Sequence, residues 1–367
     1  MKPKQLAIIG AGNGGFAMAG DLALSGFEIN LYELPRFERN IIPIKEKGGL
    51  EITGVAKKGF AKLSVISKDI REGIEDCSSI MVVTQALAHE EVARWLAPVV
   101  KGGQCIFLFP GSGGSVLFGK IFHEQKVDSR VGIAEVLTLP YACRKTGATS
   151  INVSRLLGVL GLGAFPGKNI DWIFPIFQAI YPSSFKMSNG LEVGICNANI
   201  ILHPAPTLLS LGRIEYSQGD FYLYKEGFTP SIEKVIDALD REIASLFKAL
   251  GFPSKSSKEM FEKRYEKSWD EQFNILRKIG SKGPSDVNTR YITEDVPVGM
   301  VLISSIGKML GIPTPTFDSV IHLCGVVNDE NYWRSGRTLA TLGLEGMNSE
   351  TLKGFLREGY NSLAKDL

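Results

Sequence analysis

The chain has 367 residues, of which 44% are hydrophobic and 22% charged, with a formal net charge of +2. That length exceeds one ordinary domain and fits two, and the composition excludes a disordered or low-complexity protein. A nearly neutral chain offers no global field to hold nucleic acid or a membrane surface, so neither is expected as a partner.

Glycine is the outlier: average usage would give roughly 26, and the chain has 40. The cysteines, Cys77, Cys105, Cys143, Cys196 and Cys324, contain no C-x-x-C pair. Zinc ribbons and redox dithiols therefore have no support, no metal is expected, and free thiols in a reducing cytoplasm are. Lys2 and Lys4 before an uncharged stretch imitate a signal peptide. The glycines of that stretch stand where a turn is needed, so export is not expected. No run of about 18 apolar residues occurs, so no membrane span is expected either.

The first half alternates short apolar runs with helical patterns, as a parallel, doubly wound sheet does. Strands are expected at 6–9, 28–32, 80–83, 105–108 and 131–135, with a strand pair at 50–53 and 61–65. Helices fit at 14–25 and 89–99, and residues 154–167 are expected to add one or two strands to the same sheet. From about residue 188 the patterns become long and helical: 190–202, 231–250, 257–279, 298–310 and 315–328, with Gly311 stopping the fourth. The expected architecture is a Rossmann-type α/β dinucleotide-binding domain over 1–185 followed by an all-helical substrate domain over 186–367. A ligand site is expected in the cleft between them.

The segment Gly10-Ala11-Gly12-Asn13-Gly14-Gly15 is G-x-G-x-x-G directly after a strand and before a helix. Gly10 allows the tight turn, Gly12 lets backbone amides approach a pyrophosphate, and Gly15 permits close helix–strand packing. Glu33, at the end of the second strand, is where a carboxylate accepts the adenine-ribose hydroxyls, and its charge argues for NAD. Arg36, three residues on, is the feature that tolerates NADP instead. Thr84 and the loop 110–114 follow strands at the same sheet edge and are candidates for the nicotinamide half.

The four histidines are His89, His123, His203 and His322. His89 opens a helix, His123 lies in a polar stretch, and His322 falls in an apolar helical pattern that suggests core packing. His203 precedes Pro204, which disfavours helix for the residue before it, so its side chain falls at a break. Asn199 lies one helical turn earlier on the same face. A histidine there either satisfies the last carbonyls of a helix or serves as a proton-transfer group. A second constellation runs from Arg290 through Tyr291 and Glu294 to Asp295 and Pro297. Asp295 is either a helix cap or the partner of an imidazole. Arg290 is either ion-paired on the surface, for example with Glu294, or offers its planar fork to a substrate carboxylate.

Leu202-His203-Pro204-x-Pro206, Arg290-Tyr291-x-x-Glu294-Asp295-Val296-Pro297 and the run from Glu135 to Arg144, on a chain that opens with G-x-G-x-x-G, resemble the opine dehydrogenases of the octopine/nopaline type. The resemblance spans most of the chain. It implies reversible, NAD(P)H-dependent reductive condensation of a 2-oxo acid such as pyruvate with the amino group of an L-amino acid, giving a secondary amine dicarboxylate. It carries the family's histidine onto His203, its aspartate onto Asp295 and its arginine onto Arg290, with Asn199 a weaker match. A cytoplasmic enzyme with room for a homodimer is expected. Two alternatives stand beside this. One is a related two-domain 3-hydroxy acid or glycerol-3-phosphate dehydrogenase, many of which use a lysine that has no counterpart near His203. The other is a non-catalytic NAD(H) sensor, which has no need of the His/Asp/Arg set.

Overall fold

The computed structural model describes residues 5–279 and 282–360, so Lys2 and Lys4 lie outside the described residues. The chain forms two compact units, one of Met1–Val193 with Phe355–Leu367 and one of Gly194–Gly354. The final helical segment rejoins the first unit because Phe355 packs on Phe165, ring centroids 5.4 Å apart, and on Tyr360 at 4.9 Å.

The strands of the first unit are β1 (Gln5–Ile9), β2 (Glu28–Tyr32), β3 (Gly49–Gly54), β4 (Gly59–Lys62), β5 (Val65–Ser67), β6 (Ser79–Val82), β7 (Cys105–Leu108), β8 (Gly132–Val136), β9 (Tyr141–Gly147), β10 (Ser150–Leu156), β11 (Leu160–Ala164) and β12 (Ser184–Lys186). Eight of them form one sheet in the order β12-β11-β8-β7-β6-β1-β2-β5. From β5 to β8 all neighbours are parallel, and β11 then joins β8 antiparallel. Taken in chain order, the parallel part reads 3-2-1-4-5-6, the order of a doubly wound dinucleotide-binding sheet. Its central strands are buried on both faces, with Leu6, Ala7, Ile8 and Ile9 all at 0% exposure, which is why they read as continuous apolar runs rather than alternating ones.

A second sheet, β4-β3-β10-β9, lies apart from the first. It divides two of the expected strand groups. Residues 61–65 straddle the end of β4 and the start of β5, which belong to different sheets, and residues 154–167 contribute β10 to the small sheet and β11 to the large one. The helix α1 (Asn13–Leu24) explains why the small sheet exists. Phe16, Ala17, Met18, Ala19, Gly20 and Leu22 are all buried, more than one apolar stripe can account for. An added Cβ on Gly20 would stand 2.9 Å from Leu50 of β3, so the small sheet covers the side of α1 turned away from the main one.

Among the described residues the second unit is helical. The long helix Pro230–Leu250 buries Ile232, Ile236, Leu239, Ile243, Leu246, Phe247 and Leu250 along one stripe and stops at the left-handed Gly251. The pattern over 190–202 is two helices, Gly190–Ile195 and Asn199–Leu202, because the Asn197 side chain accepts from the Asn199 amide at 3.1 Å and starts a new turn. The pattern over 257–279 is likewise broken, into Ser257–Tyr265 and Trp269–Ile279, by a left-handed Glu266. Val301–Leu310 is entered through a π-helical turn, Asp295–Met300. No helix among the described residues is long and apolar enough to cross a membrane, and no cluster of three or more His, Cys, Asp or Glu could hold a metal there.

Candidate active site

In the first unit β1 ends at Ile9 and the chain turns through Gly10, at φ +106°, into α1. Gly15 is where the helix passes closest to this turn: an added Cβ would fall on the carbonyl oxygen of Gly10. Gly12 is the N-cap of α1, has no side chain to cap it, and an added Cβ there would meet no atom within 4 Å. The first amides of α1 have no intrahelical acceptor and carry the positive end of the helix dipole, the arrangement that receives a phosphate. The side of Gly14 is closed instead, by Val83 and Leu139, each 2.9 Å from an added Cβ. Beside Gly10 lies Thr84, whose hydroxyl is buried without a hydrogen-bond partner. A buried orphan donor and an uncapped glycine turn fit a dinucleotide with polar groups at both places.

Glu33 is 4% exposed, and its carboxylate accepts from the Ala11 amide at 3.0 Å, the Leu34 amide at 2.9 Å and the Asn40 side chain at 3.1 Å. A carboxylate has about four acceptor positions, so one remains for a ribose hydroxyl; the rest tie β2 to the glycine turn. Arg36 is held at 2.5 Å by Glu91 and is half exposed.

One residue of this loop escaped the sequence reading. Lys145, on β9, donates its ammonium to the Ala11 carbonyl at 2.7 Å and lies over the Phe16 ring at 3.4 Å, while its backbone amide donates to the Asn13 side chain at 2.8 Å. Burial pushes this ammonium down to about 8, against the pull of Glu33. The run from Glu135 to Arg144 stops one residue short of it, and nothing in the local pattern marks a strand of the small sheet as part of the glycine loop.

In the second unit His203 sits between two short helices, Asn199–Leu202 and Pro204–Leu209, as the last cap of one and the first of the next. Its Nδ1 lies 2.8 Å from Asp295 Oδ2, and the two side chains are 12% and 18% exposed. Tyr291 stacks on the imidazole at 4.0 Å and 23°. A carboxylate only accepts, so the nitrogen facing Asp295 carries the proton and Nε2 is left to exchange a proton with a ligand. Asp295 is the first residue of the π-helical turn, whose N-cap is Glu294. That turn comes close to the His203 segment because residue 299 is glycine: an added Cβ would stand 2.6 Å from Ile200. The Pro297 carbonyl is satisfied by the Arg337 amide at 2.7 Å.

Arg290 donates from Nε to Glu294 at 2.6 Å, the ion pair that the four-residue spacing suggests, while its side chain is 64% exposed. Glu294 thus holds the guanidinium at Nε. The Asn199 carbonyl accepts the His203 amide at 3.0 Å, which places the two residues one turn apart. Of the other histidines, His89 is fully buried and His123 stacks on Tyr360 at 4.5 Å. His322 is exposed rather than packed in the core, because the buried stripe of its helix runs through Phe317, Val320, Ile321 and Cys324 and misses it.

A nucleotide-binding sheet with an open glycine turn and a separate helical unit carrying a largely buried histidine–aspartate pair define a pyridine-nucleotide-dependent dehydrogenase of the two-unit kind. Residues 186–328 match the model for the α-helical domain of NAD/NADP octopine/nopaline dehydrogenases. The chain is 30% identical over 358 residues to an opine dehydrogenase of Arthrobacter sp. (strain 1C), covering 96% of this chain and 99% of that one. It is 28% identical to a vitopine synthase of Allorhizobium ampelinum, over 94% and 96% of the two chains. A solved octopine dehydrogenase in complex with NADH and agmatine superposes with a TM-score of 0.74 at 18% identity, over 95% of this chain and 97% of that one. The chain belongs to the octopine/nopaline dehydrogenase family.

Proposed function

We propose that the chain is an opine dehydrogenase, joining a 2-oxo acid to the amino group of an L-amino acid with NAD(P)H as reductant. The observation that carries this reading is the His203–Asp295 pair at 2.8 Å in the helical unit that matches the family model. When bound, the reduced nicotinamide supplies the hydride. The amine attacks the oxo carbon, and His203, protonated at Nε2 and backed by Asp295, donates a proton to the departing oxygen as water leaves and the imine forms. The hydride would be received at the imine carbon that His203 has helped to form; in reverse His203 takes the proton back. Arg290 holds the oxo-acid carboxylate so that its carbon is presented in one orientation, and Asn199 lies one turn from His203 to help place the substrate. Gly10, Ala11, Gly12, Asn13, Gly14 and Gly15 form the pyrophosphate cradle, with Thr84 at its edge. Glu33, with one acceptor position left, supports NAD over NADP, and Arg36 is the group that would meet a 2′-phosphate.

The test is NADH oxidation with pyruvate across the twenty amino acids, repeated with NADPH. The expected result is oxidation only when both oxo acid and amine are present, faster with NADH. Oxidation by an oxo acid alone favours a hydroxy-acid dehydrogenase, and tight cofactor binding with no turnover favours a sensor. For Arg290→Ala the KM for the oxo acid is expected to rise about tenfold or more, the effect of losing a charge-assisted contact, with kcat changed much less. An unmoved KM takes Arg290 out of the pocket.

The cysteines of the described structure are all free thiols, which supports a cytoplasmic setting. The net charge of +2 supports small-molecule substrates over nucleic acid. Leu323, Val326 and Val327, exposed together on the helix Pro315–Val327, support pairing with a second copy of the chain.

A further inference from the structure

The second unit contains a charge that the mechanism above does not use. Arg264, in the last turn of the helix Ser257–Tyr265, is only 5% exposed. Its guanidinium lies over the rings of Phe261 at 5.1 Å and Tyr265 at 4.6 Å, and one terminal nitrogen donates to the Tyr265 hydroxyl at 3.2 Å. Its Nε is buried with no acceptor at all. No carboxylate lies within ion-pair distance of it among the described residues, whereas Arg213, Arg277 and Arg290 of the same unit each have a glutamate. A buried, unpaired guanidinium is costly, and its planar fork with a vacant Nε is the shape that receives a carboxylate side-on.

Arg264 and Asp295 both act on one buried phenol. The phenol of Tyr224 is pushed up by burial, then by Tyr291, Tyr265 and Asp295, while Arg264 pulls it the other way. The same phenol thus feels both Arg264 and Asp295. Its own ring packs on Phe228 at 5.5 Å and belongs to an apolar wall with Phe273 and Phe261. A low-dielectric wall around one unpaired cation concentrates its field on whatever anion arrives.

The condensation brings together two carboxylates, one on the oxo acid and one on the amino acid, and Arg290 accounts for one. We infer that Arg264 is the second carboxylate receptor of the substrate site and takes the carboxylate of the amino-acid partner. The inference rests on the proposed opine dehydrogenase reading, and its test separates the two. Arg264→Met keeps much of the side-chain volume and removes the charge. Without substrate its melting temperature is expected to equal or exceed that of the wild type, because an uncompensated charge has been taken out of the interior. Its KM for the amino acid is expected to rise about tenfold or more, while the KM for the oxo acid and the Kd for NADH stay within about twofold. The wild-type preference for the amino acid over the corresponding decarboxylated amine is expected to collapse, and Arg264→Lys to restore part of it.

A fall in melting temperature with both KM values moving together makes Arg264 structural and overturns the inference. So does a rise confined to the oxo acid, or no change in either KM. If the wild type turns over no oxo acid and amine pair, the functional reading fails, and thermal stabilisation by the twenty amino acids then decides Arg264. Stabilisation lost in Arg264→Met upholds a carboxylate receptor, and none in the wild type overturns it.

Discussion

Replacing His203 by Asn is expected to lower kcat by about 10²–10⁴-fold, the range that a positioned acid–base group contributes, while the Kd for NADH stays at the wild-type value. The split follows from the architecture. His203 belongs to the unit of Gly194–Gly354 and the glycine turn to the other, so the substitution alters no residue of the cofactor cradle. Asp295→Asn is expected to cost about a hundredfold or more. An amide facing Nδ1 can donate as well as accept, so it no longer fixes the proton on that nitrogen, and Nε2 loses its defined role. The two residues act through one hydrogen bond of 2.8 Å, so the double variant should be little worse than His203→Asn alone. Single-turnover kinetics and NADH fluorescence titration measure both quantities. Full activity in His203→Asn, or costs that multiply in the double variant, would sink the pairing.

Much of this arrangement is legible in the residues, for identifiable reasons. Strands β1, β2 and β7 stand within a residue of their expected ends because a parallel strand buried on both faces reads as an unbroken apolar run. The break at His203 is not the pre-proline effect, since His203 stays in the right-handed helical region; it comes from Pro204 and Pro206, which have no N–H to continue the ladder, and the approach of Asp295 is aided by a glycine at 299 whose role is invisible until Ile200 stands against it. The small sheet was not legible. Its members come from two stretches far apart, around residues 49–62 and 141–156, and the parallel pairing of β3 with β10 is a long-range contact that no local period announces. Lys145 and Arg264 were hidden for related reasons. Each looks like a solvated cation in its own stretch, and each becomes a candidate for chemistry only when the fold places it against Ala11 or buries it without a counter-ion.

Two substitutions in one turn should separate cofactor binding from folding. At Gly12 the backbone has φ −78° and ψ −167°, which any residue adopts, and nothing in the protein lies within 4 Å of an added Cβ. Gly12→Val is therefore expected to keep the wild-type melting temperature, or to raise it slightly through the less flexible unfolded chain. Its branched side chain, however, fills the space from which the first amides of α1 would receive a pyrophosphate, so NADH should bind about a hundredfold more weakly, some 2.7 kcal/mol. At Gly15 the same kind of change meets protein, because the Cβ falls on the carbonyl oxygen of Gly10 and α1 must move off the strand turn. Gly15→Ala is expected to lose stability, by about 1–3 kcal/mol as overpacked cores do, together with affinity. Calorimetric unfolding and NADH titration of the two variants form the comparison. If Gly12→Val binds NADH as the wild type does, the open N-cap of α1 is not where the dinucleotide sits. If Gly15→Ala unfolds like the wild type, the contact of that helix with the strand turn is looser than its geometry requires.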